Sequence, residues 1–75
     1  MVVPFYMLIR TRIGKASDVV HKTLKIEGVK VSHSVMGAYD VILYAEGKDL
    51  DDVRRIRDTV FQIEGITISE TVVHA

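Results

Sequence analysis

The chain has 75 residues, of which 48% are hydrophobic, and its ten Lys and Arg residues are balanced by ten Asp and Glu residues. A chain of this length forms one domain, residues 1–75, which buries only a modest part of its unfolded surface. The formal charge of zero gives no electrostatic footprint for nucleic acid or an anionic membrane, so neither is expected as a direct partner. The absence of cysteine excludes disulfides, thiolate metal sites and a cysteine nucleophile.

The N-terminal sequence, MVVPF, lacks the basic segment, long apolar core and cleavage site of a secretory leader. No apolar run approaches the roughly 18 residues of a membrane-spanning helix. The expected location is therefore the cytoplasm.

The first half of the chain predicts a strand, a helix and a second strand. Residues 3–11 are apolar on both parities, that is, at odd-numbered and at even-numbered positions, which point to opposite faces of a strand. This pattern predicts a central strand covered on both faces. After Gly14, apolar residues recur at helical spacing over residues 15–25, and Gly28 marks the helix end. Residues 30–36 alternate between apolar and polar side chains, so one face of this strand is more exposed to solvent. Such a pattern is typical of a strand at the edge of a sheet.

The second half predicts a strand, a helix and a strand. Residues 41–45 are again apolar on both parities and predict the second central strand. Asp49 is a good N-cap for the following helix. The buried stripe of that helix is expected to comprise Leu50, Val53, Ile56 and Val60. Residues 66–74 predict the last strand, with Ser69 and Thr71 on one face and Ile68 and Val72 on the other.

A weak internal repeat supports this division. The sequence IEGV at residues 26–29 recurs as IEGI at residues 63–66, 37 residues later. Two such halves predict an α+β fold, the ferredoxin-like βαββαβ plait, with an antiparallel sheet in the order 4-1-3-2. Both helices cover one face of this sheet, and nothing else in the chain remains to cover the other. Dimerisation by sheet-on-sheet packing, as in dimeric α+β barrels, is therefore expected.

The sequence VMGAYDV at residues 35–41 predicts a β-hairpin corner between the second and third strands. Gly37 suits a tight turn, because glycine adopts a positive φ at little cost and leaves its backbone open. Asp40 is a poor strand residue at the head of an apolar run. Two explanations stay open: its carboxylate hydrogen-bonds nearby backbone N–H groups, or it is a fixed anion that binds a small zwitterion.

The other polar residues offer no catalytic or metal site, and no cofactor is predicted. Metal-ligand spacing is absent among the three histidines: His21, His33 and His74. Three arginines near acidic residues indicate a solvated face with ion pairs: Arg54, Arg55 and Arg57. No histidine is spaced to activate a strand hydroxyl as a nucleophile, so these hydroxyls are interpreted as ordinary strand residues or as ligand contacts: Ser32, Ser34, Ser69 and Thr71.

Taken together, these segments resemble the effector domain of the Lrp/AsnC (feast/famine) regulators, also called the RAM domain. The resemblance covers essentially the whole chain, and its most specific part is the G-x-Y-D corner at residues 37–40 combined with Ser69-Glu70-Thr71. Full regulators carry a preceding helix-turn-helix, and the chain resembles the stand-alone form. The chain departs from the family pattern at Met36, where a small hydroxyl residue is usual, and at Ser69, where threonine is more frequent.

The resemblance implies an amino-acid-sensing module of transcription regulation rather than an enzyme. In the family, sheet-packed dimers assemble further, commonly into octameric rings, and the effector lies between dimers. The implied partners are thus a small amino acid, further copies of the chain and a full-length relative.

The resemblance also assigns the ligand-binding residues: Met36, Gly37, Ala38, Tyr39, Asp40, Ser69 and Thr71. Within this set, the Asp40 carboxylate would bind the ammonium group of the effector. The corner backbone at residues 37 and 38 and the hydroxyls of the last strand would make further contacts, and Met36 and Tyr39 would form the pocket wall.

Two other functions remain open. A small cofactor-independent monooxygenase-like enzyme uses the same dimeric plait, since fold does not fix function. Such an enzyme needs polar residues that point into a pocket between the sheet and the helices. The strand positions expected to face the helices carry only apolar side chains: Phe5, Met7, Ile9, Val41 and Leu43. The third function is that of a purely structural oligomerisation module.

Overall fold

The structure, a computed structural model, describes residues 2–74. Its six elements follow the predicted order: β1 (Val3–Thr11), α1 (Ala16–Thr23), β2 (Val29–Ser34), β3 (Val41–Gly47), α2 (Leu50–Phe61) and β4 (Ile66–Val73). The strand and helix sequence expected from the periodicity of the apolar residues is therefore confirmed.

The four strands form one antiparallel sheet in the order β2-β3-β1-β4. Read from the other edge, this is the predicted order 4-1-3-2, and the α+β ferredoxin-like fold is confirmed. The central strands β1 and β3 are the two that the sequence shows to be apolar on both parities. Ile9 of β1 pairs with Val41 on one side and with Ser69 on the other, so β1 separates the β2–β3 loop from β4.

Both helices pack on one face of the sheet, and their contact with it forms the core. The strands contribute six buried hydrophobic residues: Phe5, Met7, Ile9, Val41, Leu43 and Ala45. The helices contribute four: Val19, Val53, Ile56 and Val60. At roughly 1.5–3 kcal/mol for each fully buried large apolar side chain, this contact is the main source of the fold's stability.

The start of α2 follows its predicted cap, but the buried stripe begins one turn later than expected. Asp49 Oδ1 accepts a hydrogen bond from the Asp52 backbone N–H at 2.8 Å, which confirms the N-cap. Leu50 was predicted to be buried, and it is 57% exposed. The prediction is wrong because Cβ atoms tilt toward the helix N-terminus, so the first helical residue covers the space before the helix rather than the sheet.

The exposed face of α2 carries ion pairs, as the sequence predicts. The three N–O distances are 2.7 Å for Arg54–Asp51, 2.7 Å for Arg55–Asp52 and 3.1 Å for Arg57–Asp58. Exposed pairs of this kind each contribute little to stability, so this face is a solvated surface rather than a phosphate site.

One hydroxyl considered from the sequence is part of the core. Ser32 on β2 is buried, and its Oγ lies 2.8 Å from Oγ1 of the buried Thr23 on α1. Thr23 Oγ1 donates to the Val20 C=O at 2.9 Å, so Ser32 donates to Thr23. Both buried hydroxyls thereby have a hydrogen-bond partner, and the Ser32 hydroxyl links β2 to α1.

The face of the sheet opposite the helices is uncovered within residues 2–74 and is called the outer face below. It displays half-exposed apolar and aromatic residues from all four strands, including Tyr6, Val31, Tyr44, Ile68 and Val72. The Tyr6 and Tyr44 rings pack together with centroids 5.2 Å apart. Beside them a shallow groove is lined by Tyr6, Val31, His33, Ile42, Leu43 and Tyr44.

Candidate ligand-binding site

The β2–β3 connection, residues 35–40, is called the corner loop. The corner lies where it was predicted, but the loop is longer than expected, because β2 ends at Ser34 and the prediction that this strand reaches residue 36 was wrong. The loop closes where the Val35 N–H donates to the Asp40 C=O at 2.8 Å, and the Asp40 N–H is held by the Ile9 C=O at 2.9 Å. Four residues, 36–39, lie between the two residues of this closing bond, and the chain reverses its direction over them.

The middle of the corner loop has open backbone. Gly37 has a φ of +146°, a region that other residues rarely adopt, and a Cβ at this position would meet no atom within 4 Å. Met36 is fully exposed, at 101%, and Ala38 is also exposed. These three residues protrude from one end of the sheet, and nothing within residues 2–74 encloses them.

Asp40 extends the hydrogen bonding between β3 and β1 with its side chain. Residues two apart in a strand direct their backbone groups to the same side, so the Ile9 C=O and the Thr11 N–H both point toward β3. The Ile9 C=O accepts from the Asp40 N–H, and Asp40 Oδ2 accepts from the Thr11 N–H at 2.8 Å. The other oxygen, Oδ1, accepts no hydrogen bond within residues 2–74. This half-buried carboxylate is thus fixed through one oxygen.

Two residues that the sequence did not indicate contact the corner loop. Arg10 Nε donates to the Ala38 C=O at 3.0 Å, and the Arg10 guanidinium carbon lies 5.8 Å from the centroid of the Tyr39 ring. The Tyr39 hydroxyl donates to Glu70 Oε2 at 2.6 Å. This hydrogen bond, followed by burial and the negative charge of Glu70, raises the pKa of Tyr39 above its usual value of 10.0, because ionisation would remove the donated proton.

The structure divides the predicted site residues of β4 from those of the corner loop. Ser69 and Thr71 pair with Ile9 and Met7, which face the helices, and paired residues of an antiparallel sheet share a face. Glu70 pairs with Leu8 and therefore faces the outer side. Within residues 2–74, no hydrogen bond joins the corner loop to Ser69 or Thr71, and its contact with β4 goes through Glu70.

No group of three or more His, Asp or Glu side chains within residues 2–74 could hold a metal ion. In the same part of the chain, no helix has the length and apolar character needed to cross a membrane.

Comparison with known proteins relates the chain to transcription regulators. No family model matches the chain. The HTH-type transcriptional regulator FL11 of Pyrococcus furiosus is 26% identical over 68 residues, which cover 91% of this chain and 45% of FL11. The chain therefore spans about half the length of this curated relative.

Solved structures share the whole fold. FFRP-DM1 superposes with a TM-score of 0.90 at 28% identity, and the match covers 97% of this chain and 99% of that one. Escherichia coli AsnC gives a TM-score of 0.86 at 15% identity, over 96% of this chain and 50% of AsnC. The resemblance to the effector domain of the Lrp/AsnC regulators is confirmed.

A further structure that shares this fold is a complex with an amino acid. It is the complex of the transcriptional regulator NMB0573 from Neisseria meningitidis with L-Met, which superposes with a TM-score of 0.83 at 16% identity. The match covers 97% of this chain and 49% of NMB0573, so it shows the fold alone.

Proposed function

We propose that this chain is an amino-acid-sensing module of the Lrp/AsnC type, which binds a small amino acid at the corner loop and acts in transcription regulation. The observation that carries the proposal is the state of the Asp40 carboxylate. Its Oδ2 is held by the Thr11 N–H at 2.8 Å, whereas Oδ1 accepts no hydrogen bond within residues 2–74. A half-buried anion that is already fixed, with exposed backbone at Gly37 and Ala38 beside it, suits the ammonium group of a zwitterion.

The relatives support the same class of function. FL11 is a transcriptional regulator, and the Neisseria regulator with the same fold was solved with L-Met. L-methionine is therefore the first probe that we choose for this chain, with the other standard amino acids beside it.

Further copies of the chain complete the proposed assembly. The outer face carries half-exposed apolar residues from all four strands. Packing this face against the same face of a second copy would remove these residues from water, so we propose a dimer formed by sheet-on-sheet packing. The fully exposed Met36 and the separation of Ser69 and Thr71 from the corner loop favour a site that is completed by a neighbouring dimer, as in a ring of dimers such as an octamer. A full-length regulator of the same family is the proposed partner in the cell.

The core gives no support to the enzyme alternative. The six buried residues that β1 and β3 direct toward the helices are all apolar, and the two buried hydroxyls, those of Thr23 and Ser32, bond to each other. An enzyme of the monooxygenase type needs a pocket with inward polar groups between these layers. The remaining alternative, a structural oligomerisation module, differs from the proposal in binding no effector.

A thermal-shift screen of the twenty amino acids tests the proposal. A ligand at 100 times its Kd stabilises the folded state by about 2.7 kcal/mol. For a domain of this size, that corresponds to a rise in Tm of roughly 10–20 °C. We expect L-methionine or a few related amino acids to give such a rise and their D-enantiomers to give none. A flat response to all twenty at saturating concentration would leave only the structural module, and a monomer in light scattering would contradict the proposed dimer.

A further inference from the structure

The corner loop and β4 carry the two halves of the proposed site, and β1 lies between them in the sheet. Backbone pairing therefore joins each half to β1 but does not join them to each other. Within residues 2–74, the one side-chain hydrogen bond that spans the gap runs from the Tyr39 hydroxyl to Glu70 Oε2, at 2.6 Å. Glu70 lies directly between Ser69 and Thr71 in the chain.

We propose that Tyr39, Glu70 and Arg10 form a latch that holds the corner loop against β4 and thereby prearranges the loop for effector binding. The three residues are positioning residues, and their effect on affinity rests on the proposed function. The latch connects three separate segments, because Tyr39 belongs to the loop, Glu70 to β4 and Arg10 to β1.

The chemistry of each contact fits this role. A phenol that donates to a carboxylate makes a short, charge-assisted hydrogen bond, which is stronger than a bond between neutral groups. Arg10 Nε donates to the Ala38 C=O at 3.0 Å and its guanidinium lies beside the Tyr39 ring, so it restrains the backbone and the ring of the same loop. The pKa of Tyr39 is raised above its usual value, mainly by the hydrogen bond to Glu70, so the phenol keeps its proton at neutral pH.

The prearranged part of the loop is the part that the proposed function uses. Gly37 and Ala38 are exposed, and the backbone hydrogen bonds that hold the loop are at its two ends, Val35 and Asp40. Between these ends, the side chains of the latch make the hydrogen bonds. A loop that samples several conformations loses conformational entropy when a ligand orders it, which weakens binding. The latch removes part of this loss before the ligand arrives.

Tyr44 offers a matched control on the same face of the sheet. Its hydroxyl donates to Glu46 Oε2 at 2.9 Å, and the pKa of Tyr44 is likewise raised, mainly by that hydrogen bond. Both partners lie on β3, so the pair joins no separate segments. Tyr44→Phe therefore removes the same atom and the same type of contact as Tyr39→Phe without touching the corner loop.

The first measurement is amide hydrogen exchange of the unliganded protein. The Val35 and Asp40 amides report opening of the corner loop, because both are hydrogen-bonded at its two ends. The Val53 amide, which donates to the Asp49 C=O in the first turn of α2, is the reference, because α2 lies on the opposite face of the sheet from both tyrosine contacts. Loss of one exposed hydrogen bond is expected to speed exchange of the two loop amides about threefold to tenfold in Tyr39→Phe. Unchanged exchange there, or an equal change in Tyr44→Phe, would overturn the latch.

The second measurement is calorimetric titration with L-methionine, or with the amino acid that raises Tm most. We expect about threefold to tenfold weaker binding in Tyr39→Phe and in Glu70→Ala, and no further loss in the double variant, because both changes break one contact. Glu70→Gln retains an acceptor for the phenol and should recover much of the affinity. Additive losses would show that the two side chains act independently and would overturn the positioning role.

The two measurements keep the latch and the proposed function distinguishable. If none of the twenty amino acids binds the wild-type protein, the proposed function fails, while faster exchange in Tyr39→Phe still establishes the contact that holds the loop. If an amino acid binds and Tyr39→Phe leaves both exchange and affinity unchanged, the proposed function stands and the latch is rejected.

Discussion

Replacing Asp40 by asparagine changes the proposed ammonium site while keeping most of the local structure. The asparagine side chain has the same shape and retains one oxygen, which can still accept the hydrogen bond that the Thr11 N–H donates to Asp40 Oδ2 at 2.8 Å. The second oxygen, Oδ1, becomes an NH2 group, and the negative charge is lost. An effector's ammonium group would then face a donor in place of an acceptor.

The expected losses of stability and of affinity differ in size. The half-buried bond to Thr11 loses its charge assistance, which costs about 1 kcal/mol of stability and lowers Tm by roughly 4–8 °C in a domain of this size. Loss of one charged partner in a desolvated contact costs about 2–5 kcal/mol of binding, or about 30-fold in Kd at the least. Because a domain that is stable by about 5 kcal/mol remains more than about 99% folded after the change, the stability loss alone leaves Kd unaltered.

The assay is calorimetric titration of the wild-type and Asp40→Asn proteins with the most stabilising amino acid, together with unliganded melts. Asp58→Asn is the matched control, since it removes the same charge from an exposed residue that pairs with Arg57 on α2. We expect the control to bind like the wild type. A Kd for Asp40→Asn within about twofold of the wild-type value would refute the assignment of this carboxylate to the ammonium group, whatever the melts show.

Three further predictions concern the fold. Thr23→Val leaves its buried hydroxyl partner unsatisfied and should lower the free energy of unfolding by about 1–3 kcal/mol in urea denaturation; no change would contradict the buried pair. Gly28→Ala places a Cβ 2.6 Å from a core side chain, whereas Gly14→Ala shares the positive φ but meets no atom within 4 Å, so Gly28→Ala should lower Tm more. Equal losses would mean that the core yields without strain. The pKa of Asp52 is lowered, mainly by the hydrogen bond from the Lys48 backbone, so its stabilisation is present above its unfolded pKa and is lost as the pH falls through the lower, folded pKa. Melting curves across the acid range should therefore show a shallower acid loss for Asp52→Asn, and parallel curves would speak against the shift.

The architecture of the sheet could be predicted because the pattern of apolar residues within each single strand indicates the position of that strand in the sheet. A strand that is apolar on both parities is central and one that alternates is at an edge, so β1 and β3 were placed correctly without knowledge of any contact. Helix caps are equally local, and Asp49 was identified for that reason. The errors arose where geometry beyond the local pattern decides, at the exposed Leu50 and in the length of the corner loop.

The contacts of the corner loop could not be predicted, because they depend on strand register. Arg10 is 28 residues from Ala38 in the chain, and Tyr39 is 31 residues from Glu70. Nothing in the alternation of β4 shows that Glu70 would lie near a loop two strands away. The available signals were weak. Arg10 is a charged residue in the apolar run of residues 3–11, and Glu70 is a charged residue on the same strand face as the apolar Ile68 and Val72.

The two explanations of Asp40 that the sequence left open are compatible, because a carboxylate has two oxygens. One of them accepts the hydrogen bond from the Thr11 N–H and so continues the pairing with β1 just before β3 begins. This bond gives a physical reason for an aspartate at the start of an apolar strand. The same bond fixes the orientation of the other oxygen before any ligand is present. Since a prearranged group loses less conformational entropy on binding, the structural role of Asp40 favours the proposed functional one. The bond from the Thr11 N–H is therefore expected to contribute to effector affinity without any contact between Thr11 and the effector.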